Sequence, residues 1–113
     1  MIYLASPYSH PAPAVRAERF RLACNTAATL MQAGHRVFSP IAHTHPIAEA
    51  GGLPLGWDFW EQYDREMIAA CTEVWVLPID GWEQSSGVQA EIALARSLGL
   101  PVRIIDMKTG EPT

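Results

Sequence analysis

Two carboxylates lie on apolar helical faces, where an ordinary solvated acid is not expected. Glu91 interrupts a stripe at helical spacing formed by Val88, Ile92, Ala95 and Leu98. Asp64 interrupts the most aromatic face of the chain, which is formed by Trp57, Trp60, Met67, Ile68 and Cys71. A buried unpaired carboxylate costs several kcal/mol. Each acid is therefore either paired with a partner or used in chemistry.

A structural explanation stays open for each acid taken alone. Glu91 could cap a neighbouring helix or pair with Arg36 or Arg103, and Asp64 could pair with Arg65 or Arg96. The loop before Glu91 favours chemistry. Its small residues, Ser85, Ser86 and Gly87, would let a ligand approach backbone N–H groups at the start of a helix.

Other motifs for cofactor chemistry are absent or weak. His43 and His45 form an H-x-H pair without a third ligand at motif spacing, so loop packing or base recognition is favoured over a metal site. The first strand is followed by neither G-x-G-x-x-G nor a Walker lysine loop. We therefore expect no cofactor and no metal.

The elements that position these residues follow from periodicity and from Pro and Gly breaks. Apolar runs predict strands at residues 2–5, 36–38, 73–77 and 102–105. Helical spacing predicts helices at residues 15–32, 57–71 and 86–98, the last beginning with a Ser86-x-x-Gln89 capping box. Residues 41–56 read as a long loop with one helical turn around 46–50.

This alternation predicts an α/β fold, a small doubly wound, flavodoxin- or Rossmann-like parallel sheet of four to five strands flanked by helices. Ligands bind such sheets beyond the carboxyl ends of the strands. Those ends are expected at residues 6–10, 39–45 and 78–87.

Composition limits the class of protein. The 113 residues allow one domain, 1–113, with 49% hydrophobic and 18% charged residues. The net charge of −4 and the scattered basic residues argue against nucleic acid or a membrane surface as partner. Cys24 and Cys71 are expected to be free thiols. Without a signal sequence or a membrane-length apolar run, we expect a cytoplasmic protein.

Three separated segments resemble the nucleoside 2-deoxyribosyltransferase superfamily. They are the opening Ile2-Tyr3-Leu4-Ala5-Ser6-Pro7, the acidic Asp64 ahead of strand 74–77, and the run from Asp80-Gly81 to Glu91. Within this superfamily the chain is most similar to the DUF1937 family. The similarity lies in the Ser-Pro-Tyr-Ser-His opening at 6–10 and in the segment 39–47.

The resemblance implies a role for each carboxylate. The family's nucleophile falls on Glu91, its acid/base aspartate on Asp64, and its orienting tyrosine on Tyr3. Retaining N-glycosidic cleavage needs two carboxyl groups roughly 5 Å apart. Trp57 and Trp60 would raise the pKa of the acid, Asp64, which would lie beside an ionised Glu91. The same two rings would stack on a nucleobase.

The resemblance also implies where a substrate would bind. Ser85 stands where transferases of free nucleosides usually carry an aspartate and where relatives that hydrolyse nucleoside 5'-monophosphates carry a serine. A 5' phosphate is therefore expected at Ser85, Ser86 and Gly87. The relatives' basic residue after the first strand is missing, so His10, Arg16 or Arg19 would have to replace it. The other residues expected to bind substrate are Ser6, Tyr8, His43, Trp60 and Asp80; Tyr8 either contacts ligand or covers the core.

Two functions from different classes follow. One is an enzyme that cleaves or exchanges the N-glycosidic bond of a nucleoside or nucleoside 5'-monophosphate through a covalent glycosyl-Glu91 intermediate. The other is a non-catalytic nucleotide-binding or sensing domain with the same fold. The resemblance further implies a homodimer or homotetramer in which a neighbouring subunit completes the pocket.

Overall fold

Four short parallel strands form one sheet in the computed structural model, which describes residues 1–113. The strands are β1 (Ile2–Ala5), β2 (Val37–Phe38), β3 (Glu73–Val76) and β4 (Val102–Ile104), in the order β2-β1-β3-β4. Tyr3 of β1 is in register with Phe38 on one side and Val74 on the other. The central strands are buried on both faces, which explains their unbroken apolar sequences.

Four helices cover the two faces of the sheet. They are α1 (Pro13–Gln32), α2 (Pro40–Gly51), α3 (Trp57–Ala69) and α4 (Ser86–Ser97). Because side chains alternate along a strand, Ile2 and Leu4 pack on one face in a cluster with Leu30 of α1. Tyr3 and Ala5 pack on the other face with residues of α3 and α4. The predicted doubly wound α/β fold is confirmed, with four strands.

The prediction of a loop over residues 41–56 was wrong, because α2 occupies most of that segment. The Ser39 side chain caps the helix by accepting a hydrogen bond from the Ala42 N–H at 3.2 Å. Gly52 ends it in the left-handed conformation, at φ +60°. Pro40, Thr44 and Ala48 are buried at spacings of four residues, so one face packs inward despite the internal Pro46.

The predicted capping box of α4 was displaced by one residue. The Ser85 side chain, not that of Ser86, caps the helix by accepting from the Val88 N–H at 3.2 Å. The Gln89 amide donates to the backbone carbonyl of Glu83 at 3.3 Å instead of closing the box. This shift leaves the backbone N–H groups of Ser86 and Gly87 without a protein acceptor.

Two further sequence predictions concern thiols and membranes. Cys24 and Cys71 are both free, as predicted. None of the helices has the combination of length and apolar character that spanning a bilayer requires.

Candidate active site

A cavity of about 210 Å³ opens at the carboxyl ends of β1, β2 and β3. The connection that leaves β1 and the connection that leads into β3 run on opposite faces of the sheet. The cavity therefore lies in the crevice where ligands bind in doubly wound folds. We call it the carboxylate cavity, after Asp64 and Glu91 in its wall. The remaining lining residues are Ser6, Tyr8, Ser9, Pro40, Ile41, Thr44, Ala48, Leu55, Trp57, Trp60, Gln84, Ser85, Ser86 and Gly87.

The two carboxylates are buried without a basic partner. Asp64 on α3 is 9% exposed and Glu91 on α4 is 5% exposed. The ion pairs considered from the sequence do not form: Arg65 pairs with Glu61 at 3.1 Å and Arg103 with Glu73 at 3.6 Å. Arg36 and Arg96 make no salt bridge, and Glu91 caps no helix. Neither acid is therefore balanced by a basic side chain.

Tyr3 connects the sheet to the carboxylates. Its ring is fully buried on the central strand β1, and its hydroxyl donates a hydrogen bond to Oε2 of Glu91. Burial, together with the nearby charges of Glu91 and Asp64, holds the Tyr3 pKa well above its usual value near 10. The hydroxyl thus keeps its proton and remains a donor.

The carboxyl pair holds one proton over a range around neutrality. Burial raises the pKa of Glu91 to about 8; the Tyr3 hydrogen bond opposes this rise and the Asp64 charge adds to it. Burial raises the pKa of Asp64 to about 6, again opposed by the Tyr3 hydroxyl. The raised pKa expected for Asp64 is present, but the higher value belongs to Glu91. Between these values the two carboxyl groups share a single proton.

The start of α4 contributes polar donors. The Ser85 hydroxyl oxygen is occupied as the helix cap, yet its O–H can still donate. The backbone N–H groups of Ser86 and Gly87 are free beside it, at the positive end of the helix dipole. This edge of the carboxylate cavity can bind an acceptor oxygen.

Aromatic side chains form the opposite edge. Trp57 and Trp60 both line the cavity, and the Trp60 indole N–H is fixed by a hydrogen bond to the Pro54 carbonyl at 2.8 Å. Tyr8 also lines the cavity, which makes it available to a ligand, and its hydroxyl pairs with Nδ1 of His45. The flat faces at this edge suit a planar ring.

Ser6 is a polar side chain without a partner at the end of β1. It is 5% exposed, lines the cavity, and its Oγ makes no hydrogen bond within the protein. Buried hydroxyls nearly always have a partner, so this one requires an explanation.

Three residues predicted to bind substrate lie outside the cavity. Nδ1 of His10 accepts from the Ala12 N–H at 3.0 Å, and the ring faces a neighbouring pocket. His43 stacks against Tyr63 on the outer side of α2 and α3, with ring centroids 6.1 Å apart. Asp80 is exposed, and only its backbone carbonyl has a contact, with Arg19 at 3.3 Å.

The two histidines of the H-x-H pair point to different surroundings. His45 stacks on Phe20 with centroids 4.4 Å apart, whereas His43 lies near Phe38 and Tyr63. Nowhere in residues 1–113 do three or more His, Cys, Asp or Glu side chains gather as a possible metal site.

The sequence analysis expected ligand contacts at residues 39–45 but missed that a helix, α2, forms this part of the wall and extends it to Ala48. Its contributors are Pro40, Ile41, Thr44 and Ala48. The four-residue spacing of Pro40, Thr44 and Ala48 could have revealed a helical face, but the His, Pro and Gly residues around it suggested a loop. Gln84 also lines the cavity and lies in the expected strand end 78–87, whereas Leu55 carries no signal in the sequence.

The chain matches a family model. The model of the family DUF1937, described as a domain of unknown function, matches residues 1–107. The matched range contains every residue that lines the carboxylate cavity. No curated protein matches the chain.

Proposed function

Because the chain belongs to the DUF1937 family, a domain of unknown function, we propose a function from the site itself: cleavage of the N-glycosidic bond of a nucleoside or nucleoside 5'-monophosphate. The observation that carries the proposal is the pair of buried, cation-free carboxyl groups of Asp64 and Glu91, with Tyr3 bonded to Glu91. Two carboxyl groups that share a cavity are the usual catalytic groups of enzymes that cleave glycosidic bonds.

In the first step the Glu91 carboxylate attacks the anomeric carbon of the sugar. The bond from that carbon to the base nitrogen breaks, and its electron pair leaves with the base. The protonated Asp64 gives its proton to the departing base, so a neutral base and a glycosyl-Glu91 ester result. Asp64, now ionised, removes a proton from water, which hydrolyses the ester; attack by a second base gives transfer instead.

The single proton of the pair must be on Asp64 when Glu91 attacks. In the ligand-free site burial raises the pKa of both acids, so the pair shares one proton near neutrality. The Tyr3 hydroxyl donates a hydrogen bond to Oε2 of Glu91 and so favours the ionised form of that acid. The number of protons is thus already correct, and substrate binding has only to favour the arrangement with the proton on Asp64.

The size and walls of the cavity support a small aromatic substrate. Its 210 Å³ is below the roughly 300–1,000 Å³ of sites for drug-sized ligands. Trp57 and Trp60 offer faces on which a nucleobase can stack. The donors at Ser85, Ser86 and Gly87 can hold sugar oxygens at the other edge.

The test is release of free base from ribo- and deoxyribonucleosides and their 5'-monophosphates, with and without a second base as acceptor. Glu91→Gln keeps the shape of the side chain and removes its charge, so turnover should fall by at least about 1,000-fold. Glu83→Gln, an exposed acid in the same loop, should keep the parent rate. A sugar adduct found by mass spectrometry should lie on Glu91.

A second function, a non-catalytic sensing domain, is favoured by the raised pKa of the buried Glu91, since a neutral carboxyl donates a hydrogen bond rather than attacking. In a sensing domain, nucleosides or nucleotides would raise the melting temperature without any release of base. Base release that Glu91→Gln abolishes would exclude that function.

A further inference from the structure

The carboxylate cavity contains two acids and no basic residue among its 16 lining residues. A substrate with an anionic group would find hydrogen-bond donors there, at the start of α4, but no positive charge to balance it. Any charged partner for such a group must therefore lie beyond the cavity wall.

A second pocket adjoins this cavity and has the opposite charge. We call it the Arg16 pocket; its lining residues are Ser9, His10, Pro11, Arg16, Leu55 and Gly56. Ser9 and Leu55 line both spaces, so the two pockets share a wall. The Arg16 pocket contains no acid, whereas the pockets that contain Arg19 and Arg96 each include at least one acidic residue.

Arg16 has no carboxylate partner, unlike Arg21 on the same helix, which pairs with Glu18. Its Nη1 donates to the backbone carbonyls of His10 at 2.5 Å and Pro11 at 3.3 Å. Nε is buried without a partner, and the Tyr8 hydroxyl lies beside the guanidinium. The guanidinium is thus held in place while its charge has no acidic partner.

Arg16 also lies next to the wall of the carboxylate cavity. Burial and the Glu49 carboxylate raise the pKa of the Tyr8 hydroxyl, and the adjacent Arg16 guanidinium opposes them. Tyr8 itself lines the carboxylate cavity. His10 adds a second donor to the Arg16 pocket, because its Nδ1 accepts from Ala12 and the proton of the neutral ring is then on Nε2.

Arg19, the other basic residue near the β1–α1 loop, has a different role. Arg19 donates to the backbone carbonyls of Ser9 at 2.9 Å and Asp80 at 3.3 Å, and so ties the β1–α1 loop to the loop after β3. It lines a separate pocket together with Glu18 and Asp80. Its environment already contains negative charge.

We propose that the Arg16 pocket binds a phosphate group of the substrate whose glycosidic bond lies between Asp64 and Glu91. The inference rests on the proposed function for the reacting end of the substrate, and it deepens that function by assigning the anionic end. The phosphate would contact Arg16 and His10 and leave the start of α4 to the sugar.

The direct probe is inorganic phosphate. Its binding is measured as a shift in melting temperature for the parent, for Arg16→Gln and for the control Arg21→Gln. Phosphate should raise the melting temperature of the parent and of Arg21→Gln, and its effect should be lost in Arg16→Gln. Equal shifts in all three proteins, or none, would overturn the inference. This assay needs no turnover, so it separates failure of the anion site from failure of the proposed chemistry.

The kinetic probe is the ratio of kcat/KM for a nucleoside 5'-monophosphate to that of its nucleoside. Loss of a charge-assisted contact should lower this ratio about 10- to 100-fold in Arg16→Gln, while Arg16→Lys should keep part of it. A loosened loop would instead lower both rates and leave the ratio unchanged, which would overturn the inference. So would a ratio that falls in Ser85→Asp and not in Arg16→Gln, because the phosphate would then bind at the start of α4.

Discussion

The hydroxyl of Tyr3 donates a hydrogen bond to the carboxyl of Glu91, a residue 88 positions away in sequence, and both groups are buried. One comes from the central strand and the other from a helix on its face, so folding of the sheet and assembly of the site are a single event.

The pH dependence of activity should be bell-shaped. The pair is singly protonated between the pKa of about 6 at Asp64 and that of about 8 at Glu91. At lower pH both acids are protonated and no nucleophile is left; at higher pH both are ionised and no proton donor is left. The logarithm of kcat/KM plotted against pH should therefore fall on both sides of neutrality. A profile that rises continuously to pH 10 would contradict this account.

Tyr3→Phe should shift that profile to higher pH. The Tyr3 hydrogen bond lowers the pKa of both acids, so its removal should raise both values and move both limbs upward. The rate should also fall, because Glu91 loses the hydrogen bond that favours its ionised, nucleophilic form. Tyr63→Phe, at an exposed position on α3, is the control and should leave the profile unchanged.

Asp64→Asn should have an effect that depends on the leaving group. A natural purine or pyrimidine needs a proton to depart, so its rate should fall about 100- to 10,000-fold. A sugar with a nitrophenyl-type leaving group needs none and should lose much less. Rates for both kinds of substrate, measured in parent and variant, give the comparison. Equal losses would make Asp64 a positioning residue.

Ser6→Ala should weaken ligand binding without weakening the fold. The Oγ of Ser6 has no protein partner, so its removal should leave the melting temperature of the free protein unchanged or raise it. If a substrate oxygen is its partner, KM should rise in the same variant. Ser9→Ala is the matched control, since Ser9 donates to the Leu55 carbonyl at 2.7 Å and its loss should lower the melting temperature. A clear destabilisation by Ser6→Ala would show that the hydroxyl has a structural role.

Glu91→Gln should stabilise the protein increasingly as pH rises. The folded-state pKa of Glu91, about 8, is above its ordinary value of 4.5, so the parent loses stability as pH rises from about 4.5 through 8. Glutamine removes this dependence. The difference in melting temperature between variant and parent should be small at pH 5, larger at pH 7 and largest at pH 9, reaching several degrees. The same difference for Glu83→Gln should stay flat.

Much of the fold could be predicted from the sequence, because the patterns that indicate its strands and helices are local. Unbroken apolar runs at 2–5 and 74–77 are typical of central parallel strands. Glu91 and Asp64 were identifiable because an acid in an apolar stripe breaks a helical pattern. These inferences need only spacing along the chain.

The errors arose where local signals conflict. Around α2, Pro46, two histidines and two glycines outnumber the buried positions 40, 44 and 48, so propensity favoured a loop while tertiary packing formed a helix. Ser85 and Ser86 are equally good caps by composition, and only the position of the preceding turn decides between them. That Arg16 has no acidic partner, and Ser6 no partner at all, depends on residues distant in sequence and cannot be read from spacing.

Pro46 has a consequence for motion. A proline inside a helix lacks the N–H that would bond to the carbonyl four residues earlier, so α2 is held across its middle by fewer bonds than α3 or α4. Local opening of α2 should therefore cost less free energy than opening of β1, and the amide protons of residues 47–51 should exchange with solvent much faster than those of β1. The wall that α2 forms can thus open locally while Tyr3, Asp64 and Glu91 keep their arrangement. Changes in α2 could accordingly alter which molecule is admitted without changing the groups that react with it.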